Sequence, residues 1–439
     1  MPTGSGVSAQ WGMAAEVYTN EVQQISGTPS ATFGLTFDGA NTTVSLATNA
    51  ASAAVQSALE ALPNIGVGGV VCSGGALPAA IICTFSGALV AKRNVPILSV
   101  QGAVTGLTFA TNTPGTGYGD PQTVTRFLEF TEESIQLKID RIESKALRAG
   151  NRAVRTDRWG GGQRQANGDF TFELGSKGFG LPLGQCFGID GIVTTPSGAT
   201  NTRDQTFNVT TNDNFNRSFT AQLGTPDVDL TVQPFTYKGC KVTDWEISMQ
   251  NDGLGLLKMS VDAQDEATNI ALASASYASA FELLYFSGGQ MTIGGANVDV
   301  RKITITGKMS YAVDRFFLRA ATTAGGPTLK KEPIANDYME ITGEMELEFS
   351  GLSIYNRFVN GTLAAVTAAF QGSIIEAGGG ATINPRFGLT LTIPNARFDG
   401  NTPDIKGMDI VPIIVPFKAL YDGSSNVLTA VYRSTDVAM

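Results

Sequence analysis

The sequence predicts an all-β protein with short helices, built as two tandem copies of one unit with a small module inserted into the first. Three observations predict it. A content of 51 glycines with many short β-branched runs favours strands joined by tight turns. Next, the stretch Gly168–Gly188, GDFTFELGSKGFGLPLGQCFG, finds a counterpart in Gly343–Gly361, GEMELEFSGLSIYNRFVNG, at an offset of 175 residues. Gly168 and Glu173 fall on Gly343 and Glu348, and Phe170, Phe172 and Leu174 fall on Met345, Leu347 and Phe349. Both alternate apolar and polar residues and then switch to a compact apolar segment, the pattern of a strand running into a short helix. Finally, charge almost vanishes between Thr28 and Thr116, where only Asp38, Glu60, Lys92 and Arg93 carry it.

In chain order, Phe33–Phe37 alternates as a strand. Asn49 is placed to cap a helix over Ala50–Leu62, with Val55, Leu59 and Leu62 on one face and Pro63 stopping it. Val70–Cys72 and Ile81–Phe85 read as a hairpin around Gly74–Pro78, and Leu107–Phe109 closes the set. Turn chemistry borders the stretch at Gly27-Thr28-Pro29 and at Gly117-Tyr118-Gly119-Asp120-Pro121. Residues 28–116 therefore read as a small β-rich module with one helix, inserted in a host domain. Cys72 and Cys83 lie symmetrically about its hairpin turn. A cross-strand disulfide is geometrically allowed there, whereas a reducing cytoplasm would keep two small buried thiols.

Beyond the module, Val124–Phe130 and Ser134–Ile142 read as strands, the second with Ile135, Leu137 and Ile139 on one face. Phe219–Leu223, Gln233–Tyr237, Lys241–Met249 and Leu256–Asp262 follow the first strand–helix unit. In the second half, Val298–Thr306 and Tyr338–Phe349 are the expected strands and Gly351–Val359 the short helix. Leu363–Phe370, Leu389–Ile393, Ile410–Val415 and Leu428–Tyr432 complete it. The division expected is a first domain of residues 1–27 and 117–280, the module 28–116, and a second domain of residues 281–439.

The net charge of −9 argues against a general affinity for nucleic acid or anionic membrane. Met1–Asn20 has neither the basic n-region nor the apolar core of a signal peptide. No stretch approaches the roughly 20 apolar residues of a spanning helix, so a soluble protein made in a cytoplasm is expected. The absence of histidine removes His-based triads and histidine metal sites. Cys72, Cys83, Cys186 and Cys240 form no CxxC pair. The acidic clusters Asp262–Glu266 and Asn212–Asn214 lack the spacing of a calcium loop and read as solvated turn or strand-end chemistry. No catalytic, metal or cofactor residue is assigned and no enzyme is expected. A carboxylate-only hydrolase would need two carboxylates about 5–10 Å apart in a cleft.

One region is densely basic. Lys138, Arg141, Lys145, Arg148, Arg152, Arg155, Arg158 and Arg164 crowd together, interrupted by Asp140, Glu143 and Asp157, and Trp159-Gly160-Gly161-Gly162 reads as irregular chain. Nucleic-acid binding wants basic residues and aromatics on one surface, against which stand the interleaved acids, the acidic chain and the glycine run. The reading adopted is a contact arm, from Arg141 through Lys145, Arg148, Arg152, Arg155, Arg158 and Trp159 to Arg164, that reaches an acidic face of a neighbouring copy.

The run Val124–Gly150, VTRFLEFTEESIQLKIDRIESKALRAG, resembles the major tail tube proteins of long-tailed actinobacterial phages, as do the Arg-rich stretch after it and GDFTFELGSKGFG. So do Gln233–Lys241 (QPFTYKGCK), Lys330–Pro333 (KKEP), Leu352–Val359 (LSIYNRFV), Arg397–Asp404 (RFDGNTPD) and Pro416–Tyr421 (PFKALY). The departure is the insert, which itself resembles β-rich domains of other phage tail proteins. The resemblance implies a tandem pair of tail-tube β-sandwich or barrel domains whose strands close a barrel across subunit boundaries. It implies a virion structural protein, made in the bacterial host's cytoplasm, whose rings stack into the tail tube. It further implies partners: other copies of itself, a tape measure protein in the lumen during assembly, tail terminator and tail-tip proteins, and double-stranded DNA passing without specific binding. No cofactor and no membrane are implied. With two units per chain, a ring of three chains with pseudo-sixfold symmetry is expected, a hexamer being the alternative. A tail decoration or host-adhesion protein that does not form the tube is the alternative function.

Overall fold

The alternation of apolar and polar residues becomes antiparallel sheet in the computed structural model, which describes residues 8–439 apart from 38–40, 88, 147–152, 211–216, 319–327, 378–383, 401, 404 and 406–409. Helix is confined to short segments, so the protein is all-β with short helices. The chain forms two units, one of Glu16–Asp120 and the other of Met1–Ala15 with Pro121–Met439.

In the smaller unit a sheet runs in the order Val70–Gly74, Ile81–Phe85, Val22–Gly27, Leu107–Thr113. Val22–Gly27 pairs on both sides, so the unit begins well before the change of composition at Gly27. Nothing in the composition of that strand marks it as belonging here; its backbone partners do. The helix is Ser52–Glu60, preceded by Ala51 with no side-chain cap, and Asn49 plays no capping role. Val55, Leu59 and Leu62 are nonetheless buried, with Phe33, Phe37 and Phe85. Cys72 and Cys83 stand directly opposite in the register, 4.1 Å apart at Cα, with their sulfurs bonded.

The larger unit shows one pattern of pairing twice. In its first half Trp159–Glu173 lies between Gln136–Glu143 and Leu256–Ala263. Leu256–Ala263 pairs with the 19-residue strand Val232–Gln250, which also receives Asp265–Ala267 and Phe219–Pro226. Phe219–Pro226 pairs in turn with Gln10–Ala15. In the second half Glu340–Glu348 lies between Val300–Lys308 and Pro412–Ala419. Pro412–Ala419 pairs with Arg386–Phe398, which also receives Leu428–Ser434 and Ala364–Ile374, and the last pairs with Gly289–Ile293. Each of these pairings has its counterpart in the other half, in the same chain order. Gln10–Ala15 and Gly289–Ile293 start 279 residues apart, and leaving out the 105 residues of Glu16–Asp120 brings that distance to 174.

Two expectations change in the larger unit. Gln233–Tyr237 and Lys241–Met249 are one strand, bent where Gly239 takes φ +63° and the strand changes partners. Trp159-Gly160-Gly161-Gly162 opens a 15-residue strand, because pairing with Gln136–Glu143 supplies the order that glycine's own preferences do not.

Asp244–Gln250 pairs with Lys302–Lys308, joining the halves backbone to backbone. An eight-strand sheet results, ordered Gln136–Glu143, Trp159–Glu173, Leu256–Ala263, Val232–Gln250, Val300–Lys308, Glu340–Glu348, Pro412–Ala419, Arg386–Phe398. Its core is shared, with Phe170, Phe172, Trp245, Ile305, Met345 and Phe417 in a single cluster, and the chain does not divide near residue 280. The matched helices, Gly180–Phe187 and Leu352–Asn360, both end on a left-handed glycine, Gly188 and Gly361. The first is wholly buried and the second has no buried residue.

Candidate assembly interface

The basic region is the end of a hairpin. Gln136–Glu143 and Trp159–Glu173 pair out to Glu143 opposite Trp159, and the Arg141 guanidinium lies 5.6 Å from the centroid of the Trp159 ring. Among the described residues three large apolar side chains stand in solvent here, Ile142, Val154 and Trp159, each more than half exposed. Arg155 grips Asp157 through two hydrogen bonds of 2.9 Å. Arg141, Lys145, Arg155, Arg158 and Trp159 are thus brought together at the hairpin end. Arg164 is not: it pairs with Asp265 and donates to the Glu266 carbonyl at 3.0 Å. Arg148 and Arg152 lie outside the described residues.

The matching loop of the second half is docked. Arg164 N donates to Thr328 O at 3.0 Å, and Gln264 Nε2 donates to Lys330 O at 2.9 Å. The Lys330 ammonium, fully buried, pairs with Asp262 and comes within 3.4 Å of Gln165 Oε1. Lys241 Nζ reaches Glu332 at 2.8 Å and Pro333 O at 2.9 Å. Burial drives the Lys330 pKa down and that of Asp262 up, while their mutual attraction opposes both shifts. The acidic run Asp262–Glu266, expected in solvent, is therefore largely a buried receptor: Asp262 and Asp265 are each less than a tenth exposed. Sequence reading missed this because the partner cations lie 68 residues away along the chain, at Lys330, or on a different strand. A Lys-Lys-Glu-Pro word facing an acidic run was the available signal.

Between these loops runs the polar face of the eight-strand sheet. Strand alternation turns Phe170, Trp245, Met259, Ile305 and Phe417 inward and leaves the intervening residues on the other side. There Asp169, Glu173, Asp244, Glu246, Glu340, Glu344, Glu346 and Glu348 outnumber Lys138, Lys258, Lys302, Lys308, Arg397 and Lys418. Burial alone would raise Asp169, but hydrogen bonds from Lys258 and Ser260 outweigh it and hold the carboxyl low. The Lys418 ammonium does the same for Glu340, at 2.6 Å.

A family model described as phage tail tube protein matches residues 98–419. The chain belongs to the phage tail tube protein family. Comparison with curated proteins finds no match. As a tail tube protein it is a structural component of the virion tail that self-assembles. The family match enters within the smaller unit and runs across both halves of the larger one.

Proposed function

We propose that this tail tube protein polymerises as stacked rings of three chains, each chain an internal duplication, around a bore that passes double-stranded DNA into the host. The observation that carries the reading is the match of the main strand pairings between the halves. Within a chain, Val300–Lys308 of the second half pairs with Val232–Gln250, the strand at the edge of the first half's share of the eight-strand sheet. Between chains, the free edge of Gln136–Glu143 in one copy would join the second half of the next in the same way. Sheet edges left open invite such pairing, and a head-to-tail contact that closes makes a ring.

Three eight-strand sheets give a cylinder of 24 strands. At a strand spacing of about 4.8 Å its backbones stand about 37 Å apart before tilt widens it. The polar face with its excess of carboxylates lines the bore, where cationic side chains would hold the genome by counterion release. The Glu16–Asp120 unit belongs on the tube's exterior, since a bore cannot lose that volume and still pass a duplex. The basic hairpin serves contacts between copies, and a tape measure protein, a tail terminator and tail-tip proteins are the further partners.

Electron cryomicroscopy of tails or of the concentrated protein tests this by counting chains per ring. Three chains, with six similar folds around the bore, are expected. Six chains would keep the tube and discard the duplication. No tube under any condition, with a tail initiator added, would favour a decoration or adhesion protein.

A further inference from the structure

The docked loop and the exposed loop occupy the same register, and the structure assigns the exposed one a seat: residues Val154–Trp159 dock on the second half of the neighbouring copy, as Leu329–Ile334 dock on the first half of their own chain. This rests on the ring of duplicated chains proposed above.

The strand pairings fix the correspondence without choice. Gly168 on Gly343 places Trp159 on Ile334, and both sit at the same step of their hairpins, Trp159 opposite Glu143 and Ile334 opposite Ala312. Counting back, Val154 falls on Leu329, Arg155 on Lys330 and Asp157 on Glu332. Both segments therefore read apolar, basic, any, acidic, any, apolar. Ile142 falls on Tyr311, over which the Lys241 ammonium sits at 5.1 Å.

What differs is cover. Lys330, Glu332 and Pro333 are buried, whereas Val154, Asp157 and Trp159 are exposed. Three exposed apolar side chains, Ile142, Val154 and Trp159, stand where the second half holds partly buried ones, Tyr311, Leu329 and Ile334. Exposed apolar groups gathered at one place mark a surface that another protein covers.

The receptor is located by the same registers. Lys241 and Asp262 pair across two strands, and so do their counterparts Arg397 and Lys418. Gln165 falls on Glu340 and Arg164 on Met339. Asp157 thus meets Arg397, as Glu332 meets Lys241. At the counterpart of Asp262 the charge is reversed to Lys418, and the acid that receives Arg155 is Glu340, one strand over. In the free chain each of these charges is held by a near neighbour: Arg155 by Asp157, Arg397 by Asp399, Lys418 by Glu340. Docking exchanges these exposed pairs, which contribute little, for contacts between chains sheltered by Val154, Trp159 and Tyr421, the last about half exposed in the free chain.

Two experiments on the full chain decide it. Arg164 and Leu329 form a backbone bridge, so a Val154→Cys, Met339→Cys double variant places its two new thiols together only across a chain boundary. Oxidised tubes should run as covalently linked trimers on a denaturing gel without reductant. Normal tubes whose chains stay single would overturn the docking and leave the ring standing. If the wild-type chain forms no tubes, the ring reading falls and the docking with it. Secondly, Asp157→Arg or Arg397→Asp alone should raise the concentration needed for assembly about tenfold, with the melting temperature of the free chain unchanged. Combining the two should bring assembly back. Single variants that assemble like wild type would overturn the pairing, as would a pair that fails to recover.

Discussion

Leu329–Ile334 and Val154–Trp159 stand at the same step of matching hairpins, yet one segment is docked on its own chain and the other faces water. The two short helices differ in the same sense, Gly180–Phe187 wholly buried and Leu352–Asn360 with no buried residue. Phe187 packs against Phe207 and Trp245 at 5.5 and 5.2 Å, and Phe207 belongs to Arg203–Val209, a strand that pairs with Leu428–Ser434. The comparison separates two things that a repeated sequence could be thought to determine together. Pairing topology recurs because the alternating pattern recurs. Burial does not recur, because it depends on what lies next door.

The sharpest way to break this comparison is to cut matched side chains. Lys330→Ala leaves the Asp262 carboxylate buried without its cation and should cost the free chain about 3–5 kcal/mol. Its counterpart, Arg155→Ala, removes a partly exposed side chain and should stay within about 0.5 kcal/mol. Denaturant unfolding of the unassembled chain measures both. Equal effects would mean that the matched register carries no matched environment.

The helices give the next largest contrast. Phe187→Ala opens a cavity among aromatic rings and should cost about 3–5 kcal/mol. Leu352→Ala, at a side chain more than half exposed, should change the free chain by less than about 0.5 kcal/mol. If Leu352→Ala proved as costly in the free chain, the second helix would already be covered within the monomer.

How much of this was legible follows from the range of the forces involved. The strand–helix units were readable because alternation and a terminal glycine are local, so Phe170, Phe172, Met345 and Leu347 are buried as expected. The register between halves was also present, in Gly168 and Gly343, which both sit against neighbours that a side chain would strike: Ile135 Cα at 2.3 Å and the Phe417 ring at 2.2 Å. The Val22–Gly27 strand was assigned to the wrong side of the boundary, because its two partners lie about 60 and 85 residues away and composition cannot see a ladder. The strand beginning at Trp159 was hidden for the opposite reason, since glycine's local preference pointed away from the strand that pairing imposed. Of the interface, the basic residues were evident, but the buried receptor at Asp262 and Lys241 was not. A carboxylate reads as solvent-facing until its cation is known.

The smallest expected effect concerns how the halves are held. Besides the backbone pairings at Asp244–Gln250 and Arg203–Val209, carboxylates bridge them, among them Glu376, which accepts backbone hydrogen bonds from Thr200, Asn201 and Thr202 at 3.1, 3.1 and 2.9 Å and the Thr202 hydroxyl at 2.7 Å. The Thr202 hydroxyl leads these bonds in holding the Glu376 pKa down at about 2. Because the folded value lies below the ordinary one of 4.5, the stabilisation is complete above pH 4.5 and drains away as the pH falls toward 2. Melting temperatures of wild type and Glu376→Gln, followed from pH 6 down to pH 2, should therefore converge as the acid range is entered. Curves that stay parallel would show that the clamp contributes nothing that titrates.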